Sequence, residues 1–333
     1  MNAAIIGAGS WGSALAIVLG PRFEAIRLWA HEQDLAAQIQ ASRENTVFLP
    51  GFRLPDNVEP TASLPHALDS AQIVIGVMPS RFARGIYRQM QAHIGSGVSF
   101  VSATKGIEQG TLLRMSEVMR QELETDQIAV LSGPSFAREV AQGEPVAIVI
   151  SSQQRALADS LQQTLSGPTL RLYANYDPVG VELGAALKNI MAIAAGVCHG
   201  LGLGSNAVAA LITRGLAEIT RLAVAMGGEA RTLAGLAGLG DLVLTCMGDL
   251  SRNRGVGIEL ARGRQLAEIT GSMKMIAEGV ETTSAAVQLA RKFQVDMPIT
   301  EQMSLIVEGQ RTPREAIRDL MERSLKQEFA AAP

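Results

Sequence analysis

Cysteine is scarce in this 333-residue sequence, with only Cys198 and Cys246. Two isolated thiols build neither a disulfide framework nor a metal cluster, and they suit a reducing compartment. A cytoplasmic location and no bound metal are the expectation. Aromatic residues make up 4% and charged residues 18%, with a net charge of −3. No basic block is interleaved with aromatics, so nucleic-acid binding has no electrostatic support. No signal peptide is expected, because the first apolar run starts almost at Met1. Residues 189–213 contain no Asp, Glu, Lys or Arg, yet carry Asn189, His199, Asn206 and glycines 196, 200, 202 and 204. A run so polar and so broken predicts a buried helix followed by a loop, not a membrane span. Hydrophobic residues, by contrast, reach 47%. That composition supports a large buried interior, and the length predicts two domains.

The clearest local pattern is near the start. Ala3-Ala4-Ile5-Ile6 reads as a buried strand, Gly7-Ala8-Gly9-Ser10-Trp11-Gly12 as a turn, and the following alanines and leucines as a helix. Gly7, Gly9 and Gly12 match G-x-G-x-x-G, a turn that brings a dinucleotide pyrophosphate to a helix N-terminus. Gly7 permits the turn, Gly9 a close backbone approach, and Gly12 tight packing of the helix on the sheet. Further strands are expected at 25–30, near Val58, and at 72–77, 98–102, 128–131, 145–150 and 169–173, with helices between them. The alternation predicts an α/β, doubly wound, mostly parallel sheet, Rossmann-like, over residues 1–178. At the end of the second strand, His31 could stack on adenine or face a 2′-phosphate, which suits NADP, or be an ordinary surface-loop histidine. Glu32 could hold the ribose hydroxyls, which suits NAD, or merely start the next helix. NADPH is favoured, with NADH as the alternative. Ser80 and Arg81 follow another strand end and border the same crevice. So does Lys105, unless it is an ordinary solvated lysine. Gly133 and Ser135 can offer polar groups to an anion or a carbonyl.

From residue 179 to 333 the pattern turns helical, predicting an all-α C-terminal domain. Asp177-Pro178 is a helix start. A helix is expected over 179–199, and its stretch from Val179 to Val197 is apolar except for Glu182, Lys188 and Asn189. A lysine there is costly without a partner, a purpose or a route to water. Asp241, after the glycine-rich run 235–240, could pair with it. Ser251 reads as an N-cap that places Arg252 and Asn253 in a first helical turn, either a phosphate site or a solvated surface helix. An amphipathic helix is expected over 281–292.

In order and spacing, several blocks together resemble the bacterial-type NAD(P)-dependent sn-glycerol-3-phosphate dehydrogenases over nearly the whole chain. They are Gly-Ala-Gly-Ser-Trp-Gly, Ala103-Thr104-Lys105-Gly106, Leu131 to Ala137, Leu187-Lys188-Asn189, Gly238-Leu239-Gly240-Asp241 and Ser251-Arg252-Asn253. The resemblance implies reduction of dihydroxyacetone phosphate to sn-glycerol 3-phosphate, feeding phospholipid synthesis. It places Ser10, Trp11, His31, Lys105, Ala137, Arg252, Ile276 and Glu278 at the cofactor. It places Lys105, Gly133, Ser135, Lys188, Asp241, Ser251, Arg252 and Asn253 at the substrate, with Lys188 as proton donor and acceptor. A carboxylate-bearing hydroxy acid reductase and an NADPH-binding sensor are the alternatives. A homodimer is compatible with the sequence but not specified by it.

Overall fold

The computed structural model describes residues 1–271, 273, 277–325, 327 and 328. Eight strands form one sheet: β1 (Asn2–Ile6), β2 (Ala25–Trp29), β3 (Val58–Thr61), β4 (Ile73–Gly76), β5 (Ser99–Ser102), β6 (Ile128–Ser132), β7 (Val146–Ser151) and β8 (Leu170–Asn175). Their order is β3-β2-β1-β4-β5-β6-β7-β8. The first six run parallel, in the arrangement of a doubly wound dinucleotide fold. Side chains alternate between two cores. Ile5, Ile75, Val101 and Ala129 pack on one face; Ala4, Ile6, Val74 and Phe100 pack on the other. Burial on both faces explains why these strands read as continuous apolar runs.

The departure from parallel order is at β7, which pairs antiparallel with β6, with Leu131 opposite Ile150. β8 then pairs parallel with β7. The chain leaves β6, passes through the short helix Ala137–Gln142 and re-enters at the same edge of the sheet.

Beyond β8 the chain is helical. Asp177 caps the helix Pro178–Gly200 by accepting from the Gly180 N–H at 2.9 Å, and it also accepts from the Glu229 N–H at 2.8 Å. Residues 180–198 are all buried. Among the described residues this is the only helix long and apolar enough to cross a membrane, and its apolar window lies wholly inside the protein. Helices Ser205–Ala225, Asp241–Met247, Arg252–Ala261 and Glu278–Lys292 pack around it. Two glycines set the closest crossing. A Cβ on Gly257 would lie 1.9 Å from the Ile193 carbonyl oxygen, and one on Gly196 would lie 2.0 Å from that of Arg254.

The helix Glu278–Lys292 starts three residues earlier than the expected 281. A tertiary contact favours the earlier start: the Gly279 N–H donates to Asn253 Oδ1 at 3.0 Å. The segment 330–333 lies outside the described residues.

Candidate active site

The glycine turn opens into a cavity of about 850 Å³. Gly7 has φ +124°, and a Cβ there would meet the Val77 carbonyl oxygen at 2.0 Å. A Cβ on Gly12 would meet the Gly7 carbonyl oxygen at 1.9 Å, so this glycine packs the helix chiefly on the turn itself. Gly9 has nothing within 4 Å of its Cβ position. Gly9 is also the N-cap of the helix Ser10–Leu19, which no side chain caps. An open cradle facing uncapped helix N–H groups fits a pyrophosphate. Ser10 and Trp11 line the cavity, and the buried Trp11 Nε1 has no hydrogen-bond partner within the protein.

His31 and Glu32 border the cavity beyond β2, the His31 ring edge-on to Trp29 at 5.8 Å. Three further lining groups were not apparent from the sequence. Residues 48–50 form a lip beside the glycine turn, and Phe82 and Arg138 line other parts of the wall. Arg81, expected at the border, lies over the Phe82 ring and pairs with Glu281 at 2.9 Å.

The chemistry is concentrated where the sheet meets the helices. Gly184 and Lys188 lie one turn apart on the same face of the central helix. A Cβ on Gly184 would lie 2.6 Å from the Ala237 carbonyl oxygen, so its absence lets the π-helical turn Leu236–Gly240 press in. Asp241 follows directly. Its carboxylate pairs with Lys188 through Oδ1 and with Lys105 Nζ through Oδ2 at 2.9 Å. Lys188 Nζ also donates to Thr245 Oγ1 at 2.9 Å, and Lys105 Nζ to the Gly133 carbonyl at 3.4 Å. Thr245 was missed in the sequence, although its i+4 spacing from Asp241 was a usable signal. Lys188 and Asp241 are 5% and 0% exposed, and that burial drives the electrostatics. Burial pushes the Lys188 ammonium down to about 7; Asp241 opposes this and Lys105 reinforces it. Burial alone would raise the Asp241 carboxyl, but Lys105 and Lys188 outweigh it and hold the carboxyl below its ordinary range.

The remaining expected residues converge on the same space with one qualification. Ser135, Ala137, Ser251, Arg252, Asn253 and Glu278 line the cavity, whereas Gly133 stands behind Lys105 as its acceptor. Ser251 Oγ caps its helix by accepting from the Arg254 N–H at 3.2 Å, which sets Arg252 and Asn253 in the first turn. Burial pushes the Glu278 carboxyl up to about 7, against the pull of Arg252 and Lys105. Ile276 lies outside the described residues. Among the described residues no three His, Cys, Asp or Glu side chains converge as a metal site.

The chain as a whole is similar to known proteins in sequence and in structure. The sequence profile for the NAD-dependent glycerol-3-phosphate dehydrogenase N-terminus matches residues 2–158, and that for the C-terminus matches 177–318. A glycerol-3-phosphate dehydrogenase [NAD(P)+] from Koribacter versatilis is 55% identical, with 96% of each chain covered. One from Syntrophotalea carbinolica is 49% identical, covering 99% of this chain and 100% of its own. The crystal structure of glycerol-3-phosphate dehydrogenase from Coxiella burnetii superposes with a TM-score of 0.92 at 40% identity, covering 97% of this chain and 99% of that one. With both halves matched in sequence and nearly all of the chain matched in structure, this chain belongs to the NAD-dependent glycerol-3-phosphate dehydrogenase family.

Proposed function

We propose that this chain catalyses reversible hydride transfer between NAD(P)H and dihydroxyacetone phosphate, giving sn-glycerol 3-phosphate for glycerophospholipid synthesis. The observation that carries this is the buried Lys188–Asp241–Lys105 cluster opening into the same cavity as the glycine turn. The bound nicotinamide supplies the hydride. Lys188 supplies the proton to the carbonyl oxygen as the hydride arrives, and accepts it back in the reverse direction. Two of its three N–H groups are committed to Asp241 and Thr245, which leaves the third for substrate. An ammonium titrating near 7 is well matched to moving that proton at neutral pH.

Arg252, with Asn253 and the helix start capped by Ser251, holds the substrate phosphate. Lys105, Gly133 and Ser135 complete the substrate side. Gly7, Gly9, Ser10, Trp11, Gly12, His31, Ala137, Ile276 and Glu278, with Lys105 and Arg252, hold the cofactor. NADPH is the preferred carrier and NADH is accepted, a preference resting on His31 at the end of β2. Residues 1–178 act as the dinucleotide-binding unit and 179–333 as the helical substrate unit. The enzyme works in the cytoplasm, does not span a membrane, and could pair as a homodimer.

The test is oxidation of NADPH and NADH, side by side, with dihydroxyacetone phosphate and with glyoxylate. Oxidation dependent on dihydroxyacetone phosphate is expected. Lys188→Ala should lower turnover at least about 100-fold while NADPH affinity is retained. Oxidation with glyoxylate alone, or NADPH binding with no turnover across phosphorylated ketones, would overturn the proposal.

A further inference from the structure

The glycine turn is braced by a residue outside its motif. Asn45 lies between the helix Gln33–Ser42 and β3, and is 1% exposed. Its Nδ2 donates to the Ala8 carbonyl at 2.8 Å and to Ser13 Oγ at 2.9 Å. Its Oδ1 accepts from the Phe48 N–H at 3.0 Å. A backbone carbonyl can only accept and a backbone N–H can only donate, so these partners settle which way the amide faces. Ala8 sits inside the glycine turn, and Ser13 is in the first turns of the helix behind it. Phe48 begins the lip on the cavity wall. One buried side chain therefore fastens two walls of the cofactor cavity to each other.

The consequence follows from peptide geometry. The Ala8–Gly9 peptide is planar and trans, so its C=O and N–H point in opposite directions. Holding the Ala8 carbonyl aims the Gly9 N–H away from Asn45. The Gly7 N–H is held by the Trp29 carbonyl and the Gly9 carbonyl by the Ser13 N–H, each at 3.0 Å. The Ala8–Gly9 peptide between them has glycine on both sides of Ala8 and, without the Asn45 tether, gains rotational freedom that binding would have to remove.

We propose that Asn45 is a positioning residue for the cofactor: it sets the direction of the Gly9 N–H and fixes the lip at residues 48–50 relative to the turn, so that the pyrophosphate enters a preformed slot. This rests on the dinucleotide reading of the cavity given above. It acts through Ala8 and Phe48, not by touching the reacting atoms.

The test uses the full chain and two variants. Asn45→Ala removes the three side-chain hydrogen bonds and leaves the backbone bond from the Leu49 N–H to the residue 45 carbonyl. Asn45→Asp keeps the volume and the acceptor for the Phe48 N–H, but turns an oxygen towards the Ala8 carbonyl and places negative charge near the phosphates. The NADPH dissociation constant is read from NADPH fluorescence with no substrate present, and KM is measured separately for NADPH and dihydroxyacetone phosphate. Both variants should weaken NADPH binding at least about tenfold, aspartate no less than alanine, while KM for dihydroxyacetone phosphate stays within about twofold. An NADPH dissociation constant within about twofold of wild type in a folded variant overturns the proposal, as does an equal rise in both KM values. If the alanine variant does not fold, the aspartate variant decides by the same criteria. A wild-type chain that fails to bind NADPH overturns the proposed function as well; a wild-type chain that binds it, beside unaltered variants, overturns this inference alone.

Discussion

Lys188 is held between opposing influences, and each can be removed separately. Reduction needs the protonated ammonium, so kcat/KM for dihydroxyacetone phosphate should fall as pH rises through about 7, the value to which burial lowers Lys188. Glycerol 3-phosphate oxidation needs the neutral amine and should rise over the same range. Asp241 favours the charged form of Lys188, so Asp241→Asn should move the falling limb to lower pH. Lys105 disfavours it, so Lys105→Met should move the limb to higher pH. Both substitutions also remove a proposed substrate contact and lower the rate, but the position of the limb, measured in a pH series of kcat/KM, is separate from its height. A limb that stays put in both variants would refute the assignment of Lys188 as the titrating group. The cysteines take no such part: burial raises the thiols of Cys198 and Cys246, the latter to about 12, which keeps both protonated at neutral pH.

The helices place these residues through close backbone contact more than through side-chain complementarity. The crossing of Pro178–Gly200 and Arg252–Ala261 depends on Gly196 and Gly257, each of which faces a carbonyl oxygen of the other helix. Gly257→Ala puts a methyl carbon inside that contact and forces the helices apart. Overpacking of this kind costs about 1–3 kcal/mol, and here the upper end is expected because the obstructing atoms are backbone. The displaced helix carries Arg252 and Asn253, so KM for dihydroxyacetone phosphate should rise more than KM for NADPH, measured beside a denaturation midpoint. Equal stability and unchanged KM values would show that the helix start is positioned by something other than this crossing. The glycines at 196 and 257 were legible as sequence, but their role was not, because nothing along the chain announces which backbone approaches which.

Across the whole molecule, the sheet and the helices meet through buried charge as well as apolar packing. Glu182, on the central helix, accepts from the Ser116 N–H and the Ser116 hydroxyl, each at 2.7 Å, and pairs with Arg114. Arg114 and Glu182 are 8% and 5% exposed, so the pair is largely out of water. Glu182→Ala leaves the Arg114 guanidinium buried with Glu117 as its remaining carboxylate partner, and should cost about 3 kcal/mol in chemical denaturation. A loss below about 0.5 kcal/mol would place the junction's stability elsewhere. The strands of the parallel sheet, the glycine turn, the capped start at Asp177 and the turn to helices near Pro178 were all determined by the sequence itself. Each depends on neighbours within a few residues: apolar runs, φ freedom, a side-chain cap. Lys188 stood out because one cation lay in an apolar helix. The reversal of β7 and β8, the sharing of Asp241 between two lysines, the role of Thr245 and the brace from Asn45 were decided only by tertiary structure. These depend on groups brought together from distant parts of the chain, such as Lys105 and Asp241 or Ala8 and Asn45, and on how much water their meeting excludes. Burial, which brings the Lys188 ammonium into the working range, comes into existence only when the helices close around it.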